Sequence, residues 1–122
     1  MSKGEVQSVT TFPAIIGAVF RHYRERNHMS QKALCDATGL PQSTVSRIEK
    51  GEVAAPIETL DQLARAMNVS LSLVLAEAET ARGNLQNRGV QVRCGEKPAD
   101  LLKQGLLVVG IAALVALIFR KG

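Results

Sequence analysis

Apolar positions recur with a helical period through five stretches of the chain, then run unbroken near its end. Ile16, Val19, Phe20 and Tyr23 form the first stripe, with Thr11 as cap and Pro13 in the first turn, so a helix is expected from there to about Arg26. Ser30 offers a second N-cap, and Ala33, Leu34 and Ala37 follow it on one face. Gly39 stands where that helix must stop, in a turn Thr38-Gly39-Leu40. Pro41 pre-sets the backbone for a third short helix whose Val45 and Ile48 point inward. Pro56 opens a fourth, with Ile57, Leu60, Leu63, Ala64 and Met67 on one side, and Ser70 caps a fifth carrying Leu71, Val74 and Leu75. The expected core is Ile16, Phe20, Leu34, Ala37, Val45, Ile48, Leu60, Leu63, Ala64, Met67, Val74 and Leu75.

The period dissolves from Gly83 to Asp100. Gly83, Gly89, Gly95 and Pro98 among polar residues read as a linker. The alternation at Val90 and Val92 leaves a short strand open within 89–94. Gly105 to Phe119, GLLVVGIAALVALIF, has no polar side chain. As one helix it would span about 22 Å at 1.5 Å per residue, short of the roughly 30 Å hydrocarbon core of a bilayer. Extension back to Leu101, with Lys103 and Arg120 snorkelling to the interfaces, closes most of the gap. A helix apolar all round needs a larger core than a 70-residue domain provides, so a transmembrane helix over 101–120 is expected. Leu106, Val109, Ile111, Leu114, Leu117 and Phe119 would lie in the bilayer. Ala112 and Ala116 form a small-xxx-small pair that lets two such helices approach. Arg88, Arg93, Lys97 and Lys103 precede the span and only Arg120 and Lys121 follow it, which orients the folded domain to the cytoplasm. The expected organisation is a flexible arm over 1–10, a folded domain over 11–82, a linker over 83–100 and the membrane helix.

Charge sharpens the reading of the domain. Residues 21–50 hold six Lys or Arg against three Asp or Glu, whereas residues 51–82 hold two against five. A module with one basic half is suited to presenting that half to phosphates. The third helix lies in this half, and its open face carries Gln42, Ser43, Ser46 and Arg47, short polar groups and one guanidinium of the kind that reads base edges in a major groove. The pair of helices over 30–51 therefore has the pattern of a helix-turn-helix. Arg21, Arg24 and Arg26 lie off the first helix's apolar stripe, where either phosphate contact or plain solvation is open to them.

Other chemistry is sparse. Two cysteines make no disulfide framework; Cys35 suits a small, partly buried thiol and Cys94 falls in the linker. His22 and His28 do not share a helical face, and no nucleophile–base pair or Gly-rich phosphate loop appears. Neither an enzyme nor a cofactor or metal site is expected.

Residues 12 to about 80 resemble the lambda-repressor/Cro-like (XRE-type) helix-turn-helix family. The resemblance rests on Ser30, Gln31, Leu34, Gly39, Ser43-Thr44 and Ile48-Glu49-Lys50-Gly51, then on Leu63-Ala64 and Asn68-Val69-Ser70. It implies an all-α, five-helix lambda-repressor-like DNA-binding domain, to which the C-terminal single transmembrane helix is an addition. It also implies that Gln31 bonds a phosphate and braces the first reading residue. Gln42, Ser43, Ser46 and Arg47 would face base edges, Thr44 and Lys50 would touch the backbone, and Glu49 would make an intramolecular bond that orients the motif. Pro41 departs from the family, which often has a Ser or Thr there. The implied function is a sequence-specific transcriptional regulator, typically a repressor, binding double-stranded DNA as a homodimer. With the expected anchor it would be a single-pass protein of the inner membrane. A membrane-tethered protein-interaction scaffold of the RodZ type, without DNA readout, is the alternative.

Overall fold

The computed structural model describes residues 7–119. The chain begins with a strand, β1 (Ser8–Thr11), and continues through α1 (Phe12–Arg26), α2 (Gln31–Thr38), α3 (Gln42–Glu49), α4 (Ile57–Ala66) and α5 (Leu71–Asn87). It closes with β2 (Gln91–Arg93), α6 (Pro98–Lys103), β3 (Leu107–Val108) and α7 (Ile111–Phe119). Of the arm expected over 1–10, residues 1–6 lie outside the described part and 8–10 lie in β1.

Local chemistry sets the helix starts. Thr11 Oγ1 accepts from Ala14 N, Ser30 Oγ from Ala33 N and Ser70 Oγ from Leu73 N, each satisfying an amide that the helix itself leaves free. Pro41 and Pro56 occupy the cap positions of α3 and α4 in extended conformation. The core lies between α1 and the helices around it. α1 is buried through seven consecutive residues, Ala14 to Phe20, because α3 and α5 cover part of it and α7 covers another side.

Two parts of the expected all-α, membrane-anchored fold are corrected. The first is a three-stranded parallel sheet in the order β2-β1-β3. The β-branched run Val9-Thr10-Thr11 suits its buried central strand. Val9 lies opposite Gln91 on one side and Val108 on the other. Parallel neighbours need long crossovers; here the five-helix unit connects β1 to β2, and α6 connects β2 to β3.

The second correction concerns the apolar terminus. Among the described residues no helix is long and apolar enough to cross a membrane. The run 101–119 is instead divided among three elements, the end of α6, then β3 and α7. Gly105, at φ +79°, turns the chain after α6. Leu107 N and Val109 N then donate to Gln7 O and Val9 O, so this stretch pairs with β1. The final piece, α7, has only nine residues and packs on α1 and α5. Leu101 and Leu114 are fully buried, Leu106, Val109, Ile111, Leu117 and Phe119 are half-buried. The inner-membrane location and lipid partner expected from this run lose their basis, and with them the tether that motivated the scaffold alternative. The physical reason is that a buried protein segment and a lipid-buried one share an apolar composition; here the left-handed turn at Gly105 breaks the run before it is long enough to span a bilayer.

The seat of α7 includes a stacked pair. The Phe119 ring lies parallel to the His22 imidazole at 3.5 Å between centroids. Burial first, then the neighbouring Arg26 charge, lowers the His22 pKa from 6.5, while Glu77 and Glu25 act in the opposite sense. A depressed folded pKa means that the unfolded chain binds the proton more readily. The stability linked to His22 is therefore present above about pH 6.5 and lost as pH falls through the lower folded value. Urea midpoints at pH 7 and pH 5 should fall further for the wild-type chain than for His22→Gln; equal falls would show that this imidazole has no part in the acid sensitivity.

Candidate nucleic-acid interface

The α2–α3 unit owes its angle to a few residues. Gly39 ends α2 in the left-handed conformation, φ +78°, and its N–H donates to Cys35 O at 2.8 Å. Thr38 Oγ1 donates to Leu34 O and accepts from Leu40 N, which fastens the turn. Pro41 then starts α3 with no side-chain cap.

α3 divides into two faces. Val45, Ile48 and Glu49 are buried, Gln42, Ser43 and Arg47 are exposed, and Thr44 and Ser46 are half-buried beside them. Lys50 is exposed just past the helix end. The structure thus gathers Gln42, Ser43, Thr44, Ser46, Arg47 and Lys50 on one short element. Neither Arg47 nor Lys50 has a carboxylate within ion-pair range among the described residues, so both charges face outward uncompensated.

Glu49 explains how this helix is held. Its carboxylate belongs to a residue only 3% exposed. Its carboxylate accepts from Arg24 Nε at 2.7 Å and Arg24 Nη2 at 3.0 Å, and from Gln31 Nε2 at 3.1 Å. Arg24 Nη1 also donates to Met29 O at 2.8 Å. The intramolecular bond expected of Glu49 is present, as a brace linking α1, α2 and α3. The two-point geometry of a guanidinium on a carboxylate fixes orientation as well as distance. The hydrogen bond to Glu49 raises the Arg24 pKa above its ordinary value, against the opposing effect of burial. Gln31 joins α2 to the same carboxylate, and its side chain stays half-buried at the helix start.

Arg24 departs from both uses open to it in the sequence. Its side chain is 12% exposed and tied inward to Glu49 and to Met29 O. Nothing in the spacing of Arg21, Arg24 and Arg26 distinguishes it. The available signal was Glu49, a carboxylate next to the inward Ile48 that had to find a cation. Arg21 pairs with Glu25 on the surface, and Arg26 is exposed. Its neighbour Tyr23 donates its hydroxyl to Glu77 on α5. Burial, then that hydrogen bond, raises the Tyr23 pKa to about 12. Residues 22, 23 and 24 of α1 thus reach α7, α5 and α3 in turn.

No cluster of three His, Cys, Asp or Glu side chains able to hold a metal occurs among the described residues. Cys35 is half-buried and Cys94 exposed, both as free thiols.

No curated protein sequence matches the chain. Among solved structures, the chain is similar to the restriction-modification controller protein C.Esp1396I, determined as a tetramer in complex with its natural 35 base-pair operator. The identity is 19%, the match covers 57% of this chain and 91% of that one, and the TM-score is 0.53, a likeness of fold. Residues 20–74, which contain α2, α3 and α4 entire, match the family model described as helix-turn-helix.

Proposed function

We propose that the chain is a sequence-specific DNA-binding transcriptional regulator, acting as a repressor, that inserts α3 into the major groove of duplex DNA. The observation that carries this reading is the two-sided character of α3. Its inner side is clamped by the Glu49 carboxylate to Arg24 and Gln31, while its outer side presents Gln42, Ser43, Ser46 and Arg47 to solvent. A rigid helix with a polar, unpaired outer face is what direct readout requires. Gln42 suits adenine N6 and N7 and Arg47 suits guanine O6 and N7, since each makes two hydrogen bonds in a fixed plane. Thr44 within α3, Lys50 just past its end and Gln31 at the start of α2 serve the phosphates, which position the protein without specifying sequence. Occlusion of a promoter by such a domain gives repression. The similar controller protein was crystallised on its operator as a tetramer, which supports binding by paired copies to repeated half-sites here.

The test uses the full chain and duplexes selected from a random pool. Binding should weaken steeply with salt, because cations released from the phosphates drive it. Arg47→Ala should cost about 1–3 kcal/mol and relax the preference at one base pair. Lys50→Ala should weaken all duplexes about equally and lower the salt slope by about one. Absence of any salt-dependent duplex binding by the full chain would overturn the reading.

A further inference from the structure

Lys50 ends the outer face of α3, and the corner of the fold just beyond it brings distant parts of the chain together. Gly51 opens the loop between α3 and α4 in the left-handed conformation, φ +72°, and a Cβ there would lie 2.5 Å from Ala14 Cα. The loop therefore lies against the first turn of α1. The end of β2 reaches the same turn, because Thr11, the cap of α1, stands opposite Arg93 in the parallel pairing. The loop from β2 to α6 thus leaves the sheet beside the loop from α3 to α4. Gly95 to Lys97 and Gly51 to Ala54 line one open cleft of about 320 Å³, together with Pro13.

Charge differs between the two loops. Residues 51–56 carry no cation and one exposed carboxylate, Glu52. Without a cation from elsewhere this corner would repel a phosphate. In the β2–α6 loop the Glu96 carboxylate is taken up internally. It accepts from Arg93 Nε at 2.8 Å and Nη2 at 3.3 Å, and from Gln104 Nε2 at 3.0 Å. Lys97 is exposed, with no carboxylate within ion-pair range among the described residues.

We propose that Lys97 is a further DNA contact, meeting a backbone phosphate beyond the one served by Lys50. The contact rests on the reading of α3 as a duplex-binding helix. A short helix laid in a major groove about 12 Å wide has a phosphate strand at each end. Lys50 stands at the C-terminal end of α3, and the residues that follow it lead into the cleft that Lys97 shares. The bonds on Glu96 hold the loop, so the lysine stem starts from a fixed backbone. Its ammonium is a point charge on a flexible stem, which suits a phosphate and needs no fixed plane. The sheet and α6 thereby extend the DNA-binding surface past the two helices of the motif.

Titration of the full chain with a duplex selected from a random pool, over a series of salt concentrations, tests the contact. Lys97→Ala should lower the salt slope by about one and weaken all duplexes by the same factor, as one lost phosphate contact does. Lys97→Arg, which keeps the charge, should keep the slope. Arg88→Ala removes an equal charge before the opposite end of β2, and should leave the slope unchanged. Cys94, exposed in the same loop, gives a second readout. In a chain carrying Cys35→Ser, an iron–EDTA chelate attached to Cys94 should cut the bound duplex beside the bases that α3 contacts. A wild-type chain without salt-dependent duplex binding would overturn the function assigned to α3 and this contact with it. A wild-type chain that binds, with an unchanged slope for Lys97→Ala or no cutting from Cys94, would overturn this contact alone. An equal loss of slope in Lys97→Ala and Arg88→Ala would show a general effect of net charge and overturn it as well.

Discussion

Replacing Glu49 with leucine is expected to destabilise the fold by about 3–5 kcal/mol, because it strands the Arg24 guanidinium in a site with little water. The carboxylate is 3% exposed and takes two bonds from Arg24 and one from Gln31. Surface ion pairs such as Lys32–Asp36, with both side chains more than two-thirds exposed, contribute at most about 1 kcal/mol. The asymmetry between the two classes comes from desolvation. Removing one member of a buried pair leaves the other charged and unsatisfied, whereas removing both leaves neither. Arg24→Met combined with Glu49→Leu should therefore recover most of the lost stability. Urea denaturation of the two single variants and the double variant gives the coupling between the residues. Additive losses would show that the pair acts independently and that the brace is not a unit.

The parts of this architecture that could be read from the sequence are those determined by near neighbours. Ser30, Gly39, Pro41 and Ser70 act within a turn of where they stand, and each sits in the role its side chain dictates. Of the expected core, ten residues are buried, while Ala37 is exposed and Leu75 half-buried. Ala37 lies in the last turn of α2, whereas Leu75 lies beside the buried stripe Val74, Ala78 and Ala81 of α5 and packs only against the edge of the core. The strands were the hardest to read. β1 has four residues, and its pairings, Val9 with Gln91 and with Val108, span most of the chain. A short strand of this kind is made by tertiary pairing, with no local period long enough to announce it. The alternation at Val90 and Val92 was the one local hint, and β2 occupies Gln91–Arg93.

The terminal run differs from its sequence expectation for a related reason. An apolar stretch over 101–119 reads as membrane-spanning only where the domain has no core able to hide it. That core lies around α1, whose Ile15 and Ala18, off the expected stripe, are as buried as Ile16 and Phe20. An α1 apolar on several faces needs cover on several faces, and α7 supplies it. The site itself was more legible than the fold's end. The outward residues of α3 follow from its two inward ones, whereas Arg24 could be recognised only after Glu49 was known to be buried.

Gly17→Ala is expected to destabilise the protein by about 1–3 kcal/mol through forced overpacking, although alanine is the better helix former. Glycine within a helix costs roughly 0.5–1 kcal/mol relative to alanine, so propensity alone predicts a gain. Contact decides the sign. A Cβ on Gly17 would lie 2.7 Å from Glu49 O and closer still to Ile48 O. Both are backbone atoms in the last turn of α3 and cannot rotate away, so α3 must shift from α1. That shift pulls on the Arg24–Glu49 bonds, which join the same two helices. α3 would be displaced by a change on its hidden side, and, on the function proposed above, affinity for duplex DNA should fall along with the urea midpoint. Gly83→Ala is the matched control. Gly83 lies within α5, and a Cβ there meets nothing within 4 Å. The same substitution at that position should raise stability by about 0.5–1 kcal/mol and leave DNA binding unchanged. If Gly17→Ala also stabilised the chain, α1 and α3 would not pack as closely as described, and the rigid seating of α3 would lose its structural basis.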